Sequence, residues 1–182
     1  MNWPNRLSLI RIALVPFVVL MMYVNLPFSY LIALLLFIVA SFTDFLDGQI
    51  ARRQNLVTNF GKFIDPVADK LLVLSTMIGL CGQGIIPAWA CIVVLFRELA
   101  VDGLRLVAVQ QGQVIAAGKL GKIKTCSQML TLVLHLMTAA GLLPQTVWPE
   151  ITLWLAVVMT LISGVDYFWK NRRVLGEGGV NP

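Results

Sequence analysis

Six stretches of the chain are apolar, and short polar breaks separate them. The apolar stretches run Leu7–Val24, Phe28–Ala51, Gly61–Leu80, Pro87–Ala108, Leu120–Gly141 and Trp148–Phe168. Each is near the roughly 20 residues that a helix needs to cross about 30 Å of hydrocarbon. The breaks carry turn residues: Asn25-Leu26-Pro27, Gln54-Asn55 to Thr58-Asn59, Gly82-Gln83-Gly84, Gln110 to Gly118, and Leu143-Pro144 to Pro149. The pattern predicts an all-α integral membrane protein, a bundle of six transmembrane helices in a single domain over residues 1–182. An amphipathic start over about residues 1–10 and a loose tail from about 174, with Gly176, Gly178 and Gly179, flank it. Arg6 and Arg11 ahead of an apolar run mimic a secretory signal. No small-x-small cleavage site follows, so the run reads as a retained first span.

Composition excludes a soluble globule. Hydrophobic residues make up 58% of the chain and charged ones 13%, against roughly 45–50% and about 25% in soluble domains. The net charge of +5 points to a membrane rather than to nucleic acid, because no nucleic-acid motif accompanies it and cytoplasmic flanks collect Lys and Arg. Six spans put both termini on one side. On that side, or in the nearer half of a helix, fall Arg6, Arg11, Arg52, Arg53, Lys62, Lys70, Arg105, Lys119, Lys122, Lys124, Lys170, Arg172 and Arg173. Arg97 lies deeper, and the connections near residues 25, 83 and 145 carry no Lys or Arg. The positive-inside rule makes the basic side, with both termini, cytoplasmic. Trp89 and Trp148 fall at the outer rim, Trp3 and Trp169 at the inner. Cys81, Cys91 and Cys126 are odd in number and scattered, so they are read as reduced, buried thiols.

The carboxylates carry the chemistry. Asp44 and Asp47 lie near the end of the second span, Asp65 and Asp69 near the start of the third. At about 100° per residue, Asp44 and Asp47 stand about 60° apart on a helix, with Gly48 and Ala51 on the same arc. Gly61, Asp65 and Asp69 step by about 40° each. A short loop makes the two helices antiparallel neighbours, so four carboxylates converge near the cytoplasmic surface. Four anions in low dielectric need protons or cations. Pairing with Arg52, Lys62 or Lys70 is one solution. Hard divalent ions (Mg²⁺, Mn²⁺ or Ca²⁺) suit all-oxygen ligands better. Two of them about 3.5–4 Å apart would clamp phosphate oxygens. Gly48, Ala51 and Gly61 would let a bulky ligand approach the backbone.

These residues fit D-x2-D-G-x2-A-R-x8-G-x3-D-x3-D at every fixed position: Asp44, Asp47, Gly48, Ala51, Arg52, Gly61, Asp65 and Asp69. The stretch resembles the signature of the CDP-alcohol phosphotransferase family, whose members displace CMP from a CDP-linked lipid or alcohol by attack of a hydroxyl. The resemblance implies that Asp44, Asp47 and Asp65 hold two divalent metals, Mg²⁺ or Mn²⁺. Asp69, beside those metals, would be the general base. Gly48, Ala51, Arg52 and Gly61 would contact the CDP-lipid. It further implies a bacterial inner-membrane enzyme with its active site facing the cytoplasm, and a homodimer.

The signature leaves the acceptor open. Arg97, Glu98, Asp102 and Arg105 share one face of the fourth span, and Lys119, Lys122 and Lys124 open the fifth. A phosphorylated acceptor needs such a positive pocket. The alternative is mutual salt bridging on the fourth span, with the lysines on lipid head groups. Asn5-Arg6-Leu7-Ser8-Leu9-Ile10-Arg11 with Pro16, Arg97-Glu98-Leu99 and Gly121-Lys122-Ile123-Lys124-Thr125 resemble the members that join glycerol 3-phosphate to CDP-diacylglycerol. Arg97, Arg105, Lys119, Lys122 and Lys124 are then candidates for the acceptor phosphate. The basic N-terminal residues read as a membrane anchor. Lys124, Gln128, Thr131 and His135 share one stripe, read as packing between helices for His135. Other acceptors (phosphatidylglycerol, serine or inositol phosphate) use the same chemistry. A cation or proton transporter is a different class, but it predicts acidic residues near the bilayer midplane, and these sit toward one face.

Overall fold

The computed structural model describes residues 3–53, 59–113, 115, 118–172 and 174, without the side chains of 3–6, 44–53 and 59–63. Among the described residues six helices stand at the six expected places: α1 (Trp3–Tyr23), α2 (Ser29–Arg53), α3 (Asn59–Gly82), α4 (Ala88–Gln110), α5 (Lys119–Ala139) and α6 (Trp148–Lys170). The chain is an all-α helical bundle. α6 is long and apolar enough to cross a membrane; Leu7–Tyr23 and Ser29–Thr43 are shorter apolar stretches.

Local chemistry sets the ends. α1 begins earlier than the apolar run because Pro4 suits a first turn, where its missing N–H costs nothing. Glu150 in the first turn of α6 and Lys170 in its last match the helix dipole. α3 closes with Gly84 at φ 71°. There the Gly84 N–H reaches Cys81 O (2.9 Å) and the Ile85 N–H reaches Leu80 O (2.9 Å). α4 closes the same way at Gly112, φ 74°, with Gly112 N–H on Val109 O (3.0 Å) and Gln113 N–H on Ala108 O (2.8 Å). A side chain at either glycine would strain this left-handed turn.

The chain divides into two compact units. The first holds α1, α2, α3 and the C-terminal half of α5. In it α1 packs along both α2 and α3, which touch each other far less. The loop between α2 and α3 led to the expectation of antiparallel neighbours; the two helices do touch, and α1 packs more extensively on each. Its buried positions are Ser8, Arg11, Val15, Val18 and Met22, alternating three and four residues apart on one stripe. The buried hydrophobic residues of the two partner helices include Ala33, Leu34, Phe37 and Ala40 of α2, and Ala68, Leu72, Val73, Met77 and Leu80 of α3. Gly79 lets the Met22 sulfur lie against the α3 backbone, 2.8 Å from where a Cβ would stand.

The second unit holds α4, the N-terminal half of α5, and α6. Val101, Leu104 and Ala108 of α4 pack with Tyr167 of α6 and Val174. Gln111 Nε2 donates to Val174 O at 3.0 Å, so Val174, counted with the loose tail, is a packed residue; 175–182 lie outside the described residues. Trp89 and Trp154 pack at 4.9 Å between ring centroids. The three cysteines are free, as expected, but not buried: Cys126 is exposed, and Cys81 and Cys91 are half-buried. Cys126 falls off the buried stripe that Lys124, Gln128 and Thr131 make on α5.

Candidate active site

The carboxylate motif sits on the C-terminal end of α2 and the N-terminal end of α3. Asp65 and Asp69 are one turn apart on α3, and both are half-buried. Ser8 Oγ of α1 donates to Asp65 Oδ1 at 2.5 Å. The side chains of Asp44, Asp47, Gly48, Ala51, Arg52 and Gly61 lie outside the described residues, as do 54–58 of the connecting loop.

Arg11 departs from the expectation of a membrane anchor. It is fully buried, and its Nε–H donates to Ala40 O of α2 at 3.2 Å. A guanidinium taken out of water is costly unless its donors are used. The α2 turn that precedes Asp44 supplies that acceptor, which is why Arg11 points inward rather than to the surface.

An all-oxygen set of four aspartates, with neither thiolate nor imidazole, has the chemistry of a hard divalent-cation site. Asp65 fits that chemistry, because it is fixed through one oxygen by a hydroxyl donor in the way that ligating carboxylates commonly are. Among the described residues no group of three or more His, Cys, Asp or Glu stands ready to hold a metal.

The basic candidates belong to the second unit. Glu98 Oε1 accepts from Lys124 Nζ at 2.5 Å and from Arg97 Nη1 at 3.1 Å. Arg97 Nη2 donates to Ser163 Oγ of α6 at 3.0 Å, and one turn away Gln128 Nε2 donates to Thr160 Oγ1 at 3.1 Å. All of these side chains are nearly enclosed. Salt bridging therefore holds for Arg97 and Glu98, and it extends to Lys124. Arg105 does not join it: Nε donates to Tyr167 Oη at 3.0 Å, with the guanidinium 5.4 Å from the ring centroid. Lys119 and Lys122 are exposed at the start of α5. His135 is buried on α5, as a packing role requires.

Ser8, Ser163 and Tyr167 are polar partners that reading the chain did not single out. Ser8 and Arg11 had one available signal: they are three residues apart, at the polar head of an otherwise apolar stripe.

A bundle of apolar helices with a carboxylate signature across two helix ends defines a membrane-associated phosphotransfer class. A model of the family described as CDP-alcohol phosphatidyltransferase matches residues 1–162, and the chain belongs to that family. It is 44% identical over 189 residues to the CDP-diacylglycerol–glycerol-3-phosphate 3-phosphatidyltransferase of Bacillus subtilis (strain 168), covering 96% of this chain and 97% of that protein. It is 36% identical over 183 residues to the protein of the same name from Escherichia coli (strain K12), covering 96% and 97%. It is also 36% identical over 178 residues to a probable phosphatidylglycerophosphate synthase of Mycobacterium tuberculosis (strain ATCC 25618 / H37Rv), covering 96% and 84%.

Proposed function

We propose that this chain transfers the phosphatidyl group of CDP-diacylglycerol to sn-glycerol 3-phosphate, giving phosphatidylglycerophosphate and CMP. The observation that carries this is the 44% identity along 96% of the chain to an enzyme named for that reaction. The intact aspartate motif supplies the chemistry. The acceptor hydroxyl oxygen bonds to the lipid-side phosphorus, the bond from that phosphorus to CMP breaks, and Asp69 takes the hydroxyl proton. A carboxylate within reach of the hydroxyl suffices for this step.

In this reading Asp44, Asp47 and Asp65, with Asp69 beside them, hold two divalent ions, Mg²⁺ or Mn²⁺. When bound, these neutralise the diphosphate and the charge that grows on departing CMP. Gly48, Ala51, Arg52 and Gly61 receive the CDP-lipid. Arg97, Arg105, Lys119, Lys122 and Lys124 are the set from which the acceptor-phosphate contacts come. Lys119 and Lys122 have exposed heads. Lys124 and Arg97 are already engaged by Glu98, so they act by field unless they exchange partners.

All six helices cross a bacterial cytoplasmic membrane, with both termini and the active site on the cytoplasmic side, and two copies associate. The distribution of Lys and Arg supports the orientation. Large apolar side chains turned outward on every helix, such as Phe17, Leu35, Ile78, Phe96, Leu130 and Val165, support lipid contact. The direct test offers labelled glycerol 3-phosphate and CDP-diacylglycerol to purified protein. Label should move into organic-extractable lipid in step with CMP release. Its retention in the aqueous phase, while CMP is released, would reject this acceptor.

A further inference from the structure

Ser8 has no packing reason to be a serine. It is fully buried, its stripe continues as Val15, Val18 and Met22, and an alanine would fill most of its volume. What it adds is one O–H. That hydrogen goes to Asp65 Oδ1, 57 residues away in the chain. A serine in a helix can bond back to its own carbonyl four residues earlier, as Thr43 does to Val39 O. Ser8 Oγ reaches the side chain of another helix.

Its surroundings give that bond a purpose. α1 is the helix on which both α2 and α3 pack. At one end of its buried stripe, Ser8 grips α3 at Asp65 and Arg11 grips α2 at Ala40. A hydroxyl on one carboxylate oxygen restricts rotation of the group and sets which lone pairs remain available. This is the usual way in which partners of metal-ligating carboxylates act. We infer that Ser8 is a positioning residue for Asp65: it fixes the orientation in which that carboxylate meets a divalent ion. The inference rests on Asp65 being a metal ligand, as proposed above.

The test uses full-length protein in detergent, with Mn²⁺ binding followed by the electron paramagnetic resonance of the free ion. Five proteins are compared: the native chain, Ser8→Ala, Ser8→Thr, Ser8→Cys and Asp65→Asn. Ser8→Ala should weaken Mn²⁺ binding by about tenfold, the lower end of what partners of ligands contribute. Ser8→Thr, which keeps the hydroxyl, should restore most of it. Asp65→Asn should weaken binding further. Ser8→Cys keeps the volume with a poor donor and should behave like Ser8→Ala, so the comparison survives if the alanine protein folds badly. Native-like Mn²⁺ affinity in Ser8→Ala alongside a loss in Asp65→Asn would overturn the role of Ser8 and leave the metal reading standing. An equal loss in Ser8→Thr would overturn it as well, because shape rather than the hydroxyl would then matter. Native-like affinity in Asp65→Asn would remove the metal reading and this inference with it.

Discussion

Glu98 holds two cations at once, and all three groups are enclosed. Removing one partner of a buried ion pair typically costs about 3–5 kcal/mol, because the remaining charge is left unpaired. Here two cations would lose this partner. Glu98→Ala should therefore lower the thermal unfolding midpoint more than Arg97→Ala does. A midpoint within a degree or so of the native protein would show that Lys124 and Arg97 find other partners. Arg105 is in a different situation, because its Nε–H is on a neutral phenol, which leaves its charge available to an anion. Arg105→Gln should raise the KM for glycerol 3-phosphate, with less effect on the KM for CDP-diacylglycerol; an unchanged acceptor KM would remove it from the phosphate pocket. Asp69→Asn should cut turnover by about two to four orders of magnitude, the usual contribution of a general base, while CDP-lipid binding persists. The spacing of the aspartates places Asp65 and Asp69 one turn apart on a helix, and α3 has them so. Glu98 was legible as a charge but not as a hub: its bond to Lys124 crosses 26 residues, which no local spacing encodes. Ser8 resembled any helix serine until its partner on α3 was in view.

At the scale of elements, hydrophobic runs located all six helices, since an apolar run near 20 residues has few other solutions in lipid. Their ends moved by a few residues where Pro4 and the glycine turns overrode hydrophobicity. The pairing of helices was less legible. Loop length argues for α2 beside α3, but the buried stripe of α1 fits both, and a stripe of alternating three- and four-residue steps packs well into two neighbours. The α4–α6 contact is tight at Gly164, where an added Cβ would stand 3.1 Å from Arg97 Cγ. Gly164→Val should displace the Arg97 side chain from Ser163 and destabilise the protein by about 1–3 kcal/mol, the usual cost of overpacking. An unchanged melting temperature would mean that α6 shifts freely.

For the whole molecule, the proposed topology rests on where Lys and Arg fall along the chain. The charge asymmetry that oriented the chain in sequence is global and survives errors in any one boundary. It predicts that, in intact cells and a background without the three native cysteines, a cysteine at Gln83 or Gln145 reacts with a membrane-impermeant maleimide. A cysteine at Gln111 or Arg172 should react only after the membrane is opened. The reverse pattern would invert the topology and put the aspartates on the outer face, away from cytoplasmic glycerol 3-phosphate. The most direct measurement of the central claim is CMP release by the detergent-purified protein. It is given CDP-diacylglycerol and Mg²⁺ or Mn²⁺, and one acceptor at a time: glycerol 3-phosphate, phosphatidylglycerol, serine and inositol phosphate. The account predicts release with glycerol 3-phosphate alone, and none once the divalent ion is chelated. Release with a different acceptor, or undiminished release in chelator, would contradict it.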